Sequence, residues 1–244
     1  MKKRLIPVIE IFGPTIQGEG MVIGRKTMFV RTAGCDFSCS WCDSAFTWDG
    51  SSKEDIQLMT PEQIWEELKK IGENNFSHVT ISGGNPALLP QLKGLIDFLH
   101  ENKIQVAIET QGTRYQDWFL LVDDLTISPK PPSSGMKHDL SILDYIIHLI
   151  EKENRENHVS LKVVVFDESD LEFAKMIHKR YPRIPFFLQV GNPTVHEENN
   201  QLLVTHLLER YEWLINKAMK DEELNDVRVL PQLHTLVWGN KRGV

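Results

Sequence analysis

From residue 60 onward, short apolar runs alternate with stretches whose apolar residues recur every three or four positions. The runs read as strands: His78–Ser82, Ile104–Glu109, Leu125–Ser128, Val159–Phe166, Phe186–Val190 and Val227–Leu230. Two earlier ones, Leu5–Phe12 and Thr27–Arg31, precede them. The stretches between read as helices: Thr60 to Gly72, Leu88–Glu101, Ser141–Glu151, Ser169–Tyr181 and Asn199–Lys220. The first has Thr60 as N-cap, Pro61 at the first helical position and Gln63 placed for a capping box. Ile64, Leu68 and Ile71 form its expected stripe, and Gly72 its end. Val159–Phe166 is nearly all apolar, as a strand buried on both faces should be. Strand–helix alternation predicts a parallel sheet with right-handed crossovers. A closed eight-unit barrel takes about 250 residues without insertions. Here a polar, Gly-rich loop at residues 13–24 and an irregular insertion at 45–59 use up length. The expectation is a single α/β domain over residues 1–244: an incomplete (βα)6-type parallel barrel with a C-terminal tail at 234–244.

All three cysteines fall within Cys35-Asp36-Phe37-Ser38-Cys39-Ser40-Trp41-Cys42. Inert buried cysteines scatter, a disulfide would leave one thiol over, and a structural zinc site wants a fourth ligand that no nearby histidine supplies. Three thiolates can hold three irons of a [4Fe–4S] cubane and leave the fourth iron open. In this spacing, C-x3-C-x2-C, the chain resembles the radical S-adenosylmethionine (SAM) superfamily, whose incomplete barrel matches the fold expected above. Function in such folds collects at the carboxyl ends of the strands. Polar sets stand there: the cysteine loop, Ser82-Gly83-Gly84-Asn85-Pro86, Glu109-Thr110-Gln111-Gly112-Thr113, Ser128-Pro129-Lys130 and Gly191-Asn192-Pro193. Singly each reads as a turn; together on one edge they read as a site.

A narrower resemblance follows from Phe12-Gly13-Pro14-Thr15-Ile16-Gln17-Gly18-Glu19-Gly20, from Arg31 four residues before Cys35, and from Cys42-Asp43-Ser44. It extends through Ser128-Pro129-Lys130 and Gln189 to His234 and Gly243-Val244. The chain is similar to the 7-carboxy-7-deazaguanine synthases of 7-deazapurine (queuosine) biosynthesis. The resemblance implies a lyase that converts 6-carboxy-5,6,7,8-tetrahydropterin to 7-carboxy-7-deazaguanine with loss of ammonia. It implies SAM used catalytically and a requirement for Mg²⁺. Cys35, Cys39 and Cys42 would ligate the cluster as thiolates. Trp41, Cys42, Asp43, Gly84, Asn85, Ser128, Pro129, Lys130, Gln189, Val190, Gly191 and Asn192 would form the SAM site. Gly84 would let the backbone approach the methionine end. Asn85 departs from the Gly-Gly-Glu-Pro common in the superfamily; its amide could accept from the methionine ammonium but carries no charge.

Substrate would be bound by Ile16, Gln17, Gly18, Glu19, Arg31, Ser82, His234 and the Val244 carboxylate. Gln17 and Glu19 carry donors and acceptors for an aminopyrimidinone edge. Arg31 offers a planar fork for a carboxylate. Ser44 is the expected Mg²⁺ ligand, one hydroxyl beside waters and substrate oxygens. The tail from Trp238 is expected to follow directly on the last short strand and to reach back to the site. The resemblance further implies an external electron donor such as a flavodoxin and a homodimer.

Net charge is −7, so bulk attraction to nucleic acid is not expected. No apolar h-region follows Lys2-Lys3-Arg4, and no run reaches about 18 apolar residues, so neither export nor a membrane span is expected, and reduced cysteines suit the cytoplasm. Two other classes stay open. A radical SAM activase would share the cysteines but has no need of Gln17-Gly18-Glu19-Gly20. A non-catalytic iron–sulfur or zinc protein would leave the strand-end sets without a role.

Overall fold

The structure is a computed structural model and describes residues 5–137 and 139–244. Among them the strands form one nine-stranded sheet. In chain order its elements are β1 (Ile6–Ile16), β2 (Lys26–Thr32), β3 (Gln57–Met59), α1 (Pro61–Gly72), β4 (His78–Gly83) and α2 (Leu92–Glu101), then β5 (Gln105–Thr110), β6 (Asp124–Ile127), α3 (Leu140–Lys152), β7 (Val159–Val165), α4 (Glu168–Arg180), β8 (Phe186–Val190), α5 (Asn200–Ala218), β9 (Arg228–Leu230) and α6 (Leu233–Trp238). The order across the sheet is β3-β1-β2-β4-β5-β6-β7-β8-β9. From β2 to β9 every pairing is parallel. The sheet ends in β3 on one side and β9 on the other, so the barrel is incomplete, as the sequence predicts.

Alternation along each strand divides the residues between two faces. Met28 and Val30, Val79 and Ile81, Val106 and Ile108, and Leu161, Val163 and Val165 face the helices and build the core. Phe29, Arg31, Glu109, Lys162 and Val164 face inward and line a cavity. The parallel geometry delivers each strand's carboxyl end to the same rim.

Four expectations need correction. The sheet is mixed rather than wholly parallel, because β1 pairs antiparallel with β2 and β3. β1 runs through Gly13 and Pro14 to Ile16, with a register shift between Phe12 and Thr15; an irregularity in the strand absorbs residues that read as a loop. The 45–59 insertion is not wholly irregular, since β3 at its end pairs Ile6 with Met59. In α1 the Thr60–Gln63 capping box forms and the helix ends at Gly72 as expected, but Ile71 is 39% exposed.

His78 lies buried on β4, its Nδ1 2.8 Å from Thr27 Oγ1 and its Nε2 without a partner. Burial, with Arg25 adding to it, brings its pKa down to about 4. The unfolded chain takes a proton near pH 6.5 that the folded one refuses. Stability is therefore full above that pH and falls as the pH drops toward 4, by roughly 3 kcal/mol in total. Urea midpoints across this window should fall less steeply in His78→Gln than in the parent. Parallel slopes would show that His78 takes up its proton equally in the folded and unfolded states.

Candidate active site

The cavity at the carboxyl rim has a volume of about 270 Å³ and opens to solvent. Its wall includes all three cysteines, Ser44 and every expected substrate residue: Ile16, Gln17, Gly18, Glu19, Arg31, Ser82, His234 and Val244. Of the expected SAM residues, Trp41, Cys42, Asp43, Gly84, Ser128, Lys130 and Asn192 also line it.

The cysteine loop leaves β2 and is braced from two sides. Ser40 N donates to Ser134 O at 3.1 Å, and Ser40 Oγ to Ser133 O at 2.8 Å. Trp41 Nε1 donates to Ser133 Oγ at 3.0 Å, and its ring centroid lies 5.0 Å from that of Phe166. Trp48 Nε1 donates to Cys42 Sγ at 3.4 Å. Burial, with the neighbouring thiols, pushes Cys39 up to about 11 against the pull of Lys130. Burial likewise raises Cys42. These thiols hold their protons at neutral pH, so loading a cluster must release them.

The Gln17–Gly20 turn is where the two chain ends meet. Leu233 N donates to Gly18 O at 3.1 Å, and a Cβ on Gly18 would stand 2.4 Å from His234 Nδ1. Only glycine lets α6 seat there. Gln17 Nε2 donates to Glu109 Oε1 at 3.3 Å, and Gln232 Nε2 to Glu19 Oε1 at 2.9 Å. Lys162 Nζ donates to Glu19 Oε2 and stands 3.8 Å from Glu109. Burial alone would raise the Glu19 carboxyl, but Lys162, with His234 and Gln232, outweighs it and holds it at about 2. For Glu109 burial prevails over Lys162 and the pKa is raised. Burial opposes the charge on Lys162, yet the two carboxylates hold its pKa above the ordinary lysine value.

Arg31 lies between two rings, 5.3 Å from the centroids of both Phe12 and Phe46. Its Nε is 3.5 Å from Glu10 Oε2. Arg242 holds the other oxygen of Glu10 at 3.0 Å and stacks 3.8 Å from Phe46. The tail is thereby pinned across the cavity mouth. Asn240 reinforces it, donating to Thr194 O at 2.9 Å and Glu197 O at 3.0 Å while accepting from Asn192 Nδ2 at 2.9 Å. The tail does not follow directly on β9, because α6 intervenes. Ser44 Oγ donates to Asp43 Oδ1 at 2.9 Å. One ligand atom each of Glu19, Asp43 and His234 lie within 4.8 Å of one another, so oxygen donors from the cysteine loop and the Gln17–Gly20 turn converge.

Several expected cofactor residues are placed differently. Asn85 is fully buried behind the wall, with its amide engaged by protein partners. Gly84 lines the cavity and also packs tightly on the chain: a Cβ there would stand 2.0 Å from Gly34 O. Pro129, Val190 and Gly191 are absent from the wall, and Gly191 abuts the Phe166 ring. Gln189 is also off the wall and fully buried, yet both its amide atoms lack a partner. It pairs with Val164 across β7 and β8, so it shares the inward face. A buried amide with unused donors and acceptors fits a polar ligand such as SAM. Lys162, Phe166, Gln232 and Asn240 belong to the site but carry no role in the sequence reading. Lys162 had a signal, a lone cation inside an otherwise apolar strand.

Residues 29–128 match the model of the radical SAM superfamily. The 7-carboxy-7-deazaguanine synthase of Bacillus subtilis (strain 168) is 68% identical over 98% of both chains. The chain belongs to the 7-carboxy-7-deazaguanine synthase family. The Bacillus cereus member of that family is 62% identical over 98% of this chain and 99% of its own. Among solved structures, QueE from Escherichia coli superposes with a TM-score of 0.67 at 21% identity, covering 92% of each chain. At that identity the match speaks to the fold alone.

Proposed function

We propose that this chain converts 6-carboxy-5,6,7,8-tetrahydropterin to 7-carboxy-7-deazaguanine and ammonia, as a radical SAM lyase of 7-deazapurine biosynthesis. One observation carries the reading: the Gln17–Gly20 turn, Arg31, His234 and Val244 share a single cavity with Cys35, Cys39 and Cys42. Neither an activase nor a passive metal-binding protein accounts for that convergence.

The three thiols would hold the [4Fe–4S] cluster, with Trp41, Ser128, Lys130, Gln189 and Asn192 around SAM. Cluster and SAM together supply the one-electron chemistry that starts the ring contraction. The chain's own residues bind and orient. Arg31, held flat by Phe12 and Phe46, presents its fork to the substrate carboxylate. Glu19, kept ionised by Lys162, accepts from the amino group and ring N–H of the pterin. Ser44, with Asp43 beside it, offers oxygens to Mg²⁺. α6 and the pinned tail cover the site and limit water. The electron donor is external, a small flavodoxin-like protein, and the working unit is a homodimer in the cytoplasm. No described helix is long and apolar enough to cross a membrane.

Arg31→Lys keeps the charge and loses the fork. Pterin affinity should fall by about 1.5–3 kcal/mol, the range of a charge-assisted hydrogen bond, with iron content unchanged. Calorimetric titration of the cluster-loaded protein measures it, and an unaltered affinity would place the carboxylate elsewhere. The tail gives a second test. Deleting residues 241–244 removes the Arg242–Glu10 contact and the Val244 carboxylate. Pterin affinity and rate should both drop, while SAM cleavage without substrate survives. Kinetics equal to those of the parent would exclude the tail from the site.

A further inference from the structure

Asn85, fully buried behind the cavity wall, and Asp36, which reaches the surface, form the centre of a polar network. Asn85 Nδ2 donates to Asp36 Oδ1 at 2.8 Å and to Thr113 Oγ1 at 3.0 Å. Asn85 Oδ1 accepts from Thr110 Oγ1 at 2.7 Å and from Ala87 N at 3.2 Å. Asp36 Oδ1 also accepts from Gln111 Nε2 at 2.6 Å, and Asp36 Oδ2 from Thr113 Oγ1 at 2.7 Å. Arg114 Nε is 3.9 Å from Asp36 Oδ2. The backbone repeats the connection: Asn85 N donates to Gly34 O at 2.8 Å. Asp36 follows Cys35 directly, and Gln111 Nε2 lies 3.6 Å from Cys35 Sγ. The ends of β4 and β5 therefore converge on the first cysteine from behind.

We propose that Asn85 is a positioning residue for the cluster loop: its amide locks Asp36, and through Asp36 and Gln111 it fixes the Cys35 sulfur. The neutral amide is required by its neighbour. A carboxylate at position 85, itself fully buried, would set oxygen against oxygen where Nδ2 now donates. Gln111 then presents an N–H to the sulfur, an outer-shell contact that orients and stabilises a thiolate ligand. Asn85 acts through other residues and touches no cofactor. This inference rests on Cys35 being a cluster ligand.

The test is cluster release to an iron chelator from anaerobically reconstituted protein, with SAM affinity measured alongside. Asn85→Asp should speed release roughly 10–100-fold, the range for loss of an outer-shell partner. Thr113→Val, nearly isosteric and free of a new buried charge, should shift it the same way by less. Asn85→Asp combined with Asp36→Asn removes the repulsion and should be slower to release than Asn85→Asp alone. Parental release in Asn85→Asp, with SAM affinity alone reduced, would overturn the inference and make Asn85 a direct SAM ligand. Faster release in Asn85→Asp with no response in Thr113→Val and no relief in the double variant would overturn it as general unfolding. A parent chain that takes up no cluster would overturn the proposed function as well, which separates the two failures.

Discussion

Cys39→Ser loses the iron–sulfur absorbance and all SAM cleavage, and the chain stays folded. Three thiolates are the minimum that leaves a cubane with one open iron, and a serine oxygen is a poor substitute for a soft ligand. Folding should survive because the loop belongs to the rim. Its contacts are hydrogen bonds to Ser133, Ser134, Asn85, Gln111 and Thr113 and a ring contact with Phe166, whereas the core is built from the helix-facing strand residues and the helices. Iron content and circular dichroism of the anaerobically prepared variant measure both halves of the expectation. A variant that still cleaves SAM would remove the cysteine loop from the chemistry.

Lys162→Met is expected to be the most damaging substitution that touches no cysteine. The Lys162 side chain is 4% exposed and serves two half-buried carboxylates. Removing it leaves Glu19 without the cation that holds its pKa near 2. An uncompensated buried charge costs about 3–5 kcal/mol. Glu19 would relieve this by taking up a proton, and would then no longer accept from the pterin. Stability and substrate affinity should therefore fall together. Lys162→Met with Glu19→Gln should lose less stability than the two single losses added, because each single variant already breaks the pair. Urea denaturation and pterin titration read the two effects. A Lys162→Met protein as stable as its parent would mean that the network contributes nothing to the fold.

Much of the fold was legible because strand period and helix period leave separate marks. β8 and the Thr60–Gln63 capping box appear as read. What failed was local geometry decided by partners distant in sequence. The 13–16 segment looks like a loop, yet pairing with β2 keeps it a strand. β3 is three residues long and owes its existence to β1. α6 has six residues, too few for a periodic signal, and is held by its dock on Gly18. The candidate site divides in the same way. Residues whose chemistry shows in a motif, from Gln17 to Ser44, fall on the cavity wall. Gly84 and Asn85 sit in a motif too, but their neighbours are Gly34 and Asp36, which only the fold reveals. Lys162 stands out as a lone cation in its strand, but only the fold supplies Glu19 and Glu109 as its partners.

The central claim is that this cavity brings a pterin to a cysteine-bound cluster and SAM. Anaerobic turnover of the cluster-loaded chain tests it, with a low-potential reductant, SAM, Mg²⁺ and 6-carboxy-5,6,7,8-tetrahydropterin. The predicted result is 7-carboxy-7-deazaguanine and ammonia in equal amounts, with SAM recovered intact across many turnovers. Pterin returned unchanged while the same preparation cleaves SAM would contradict it.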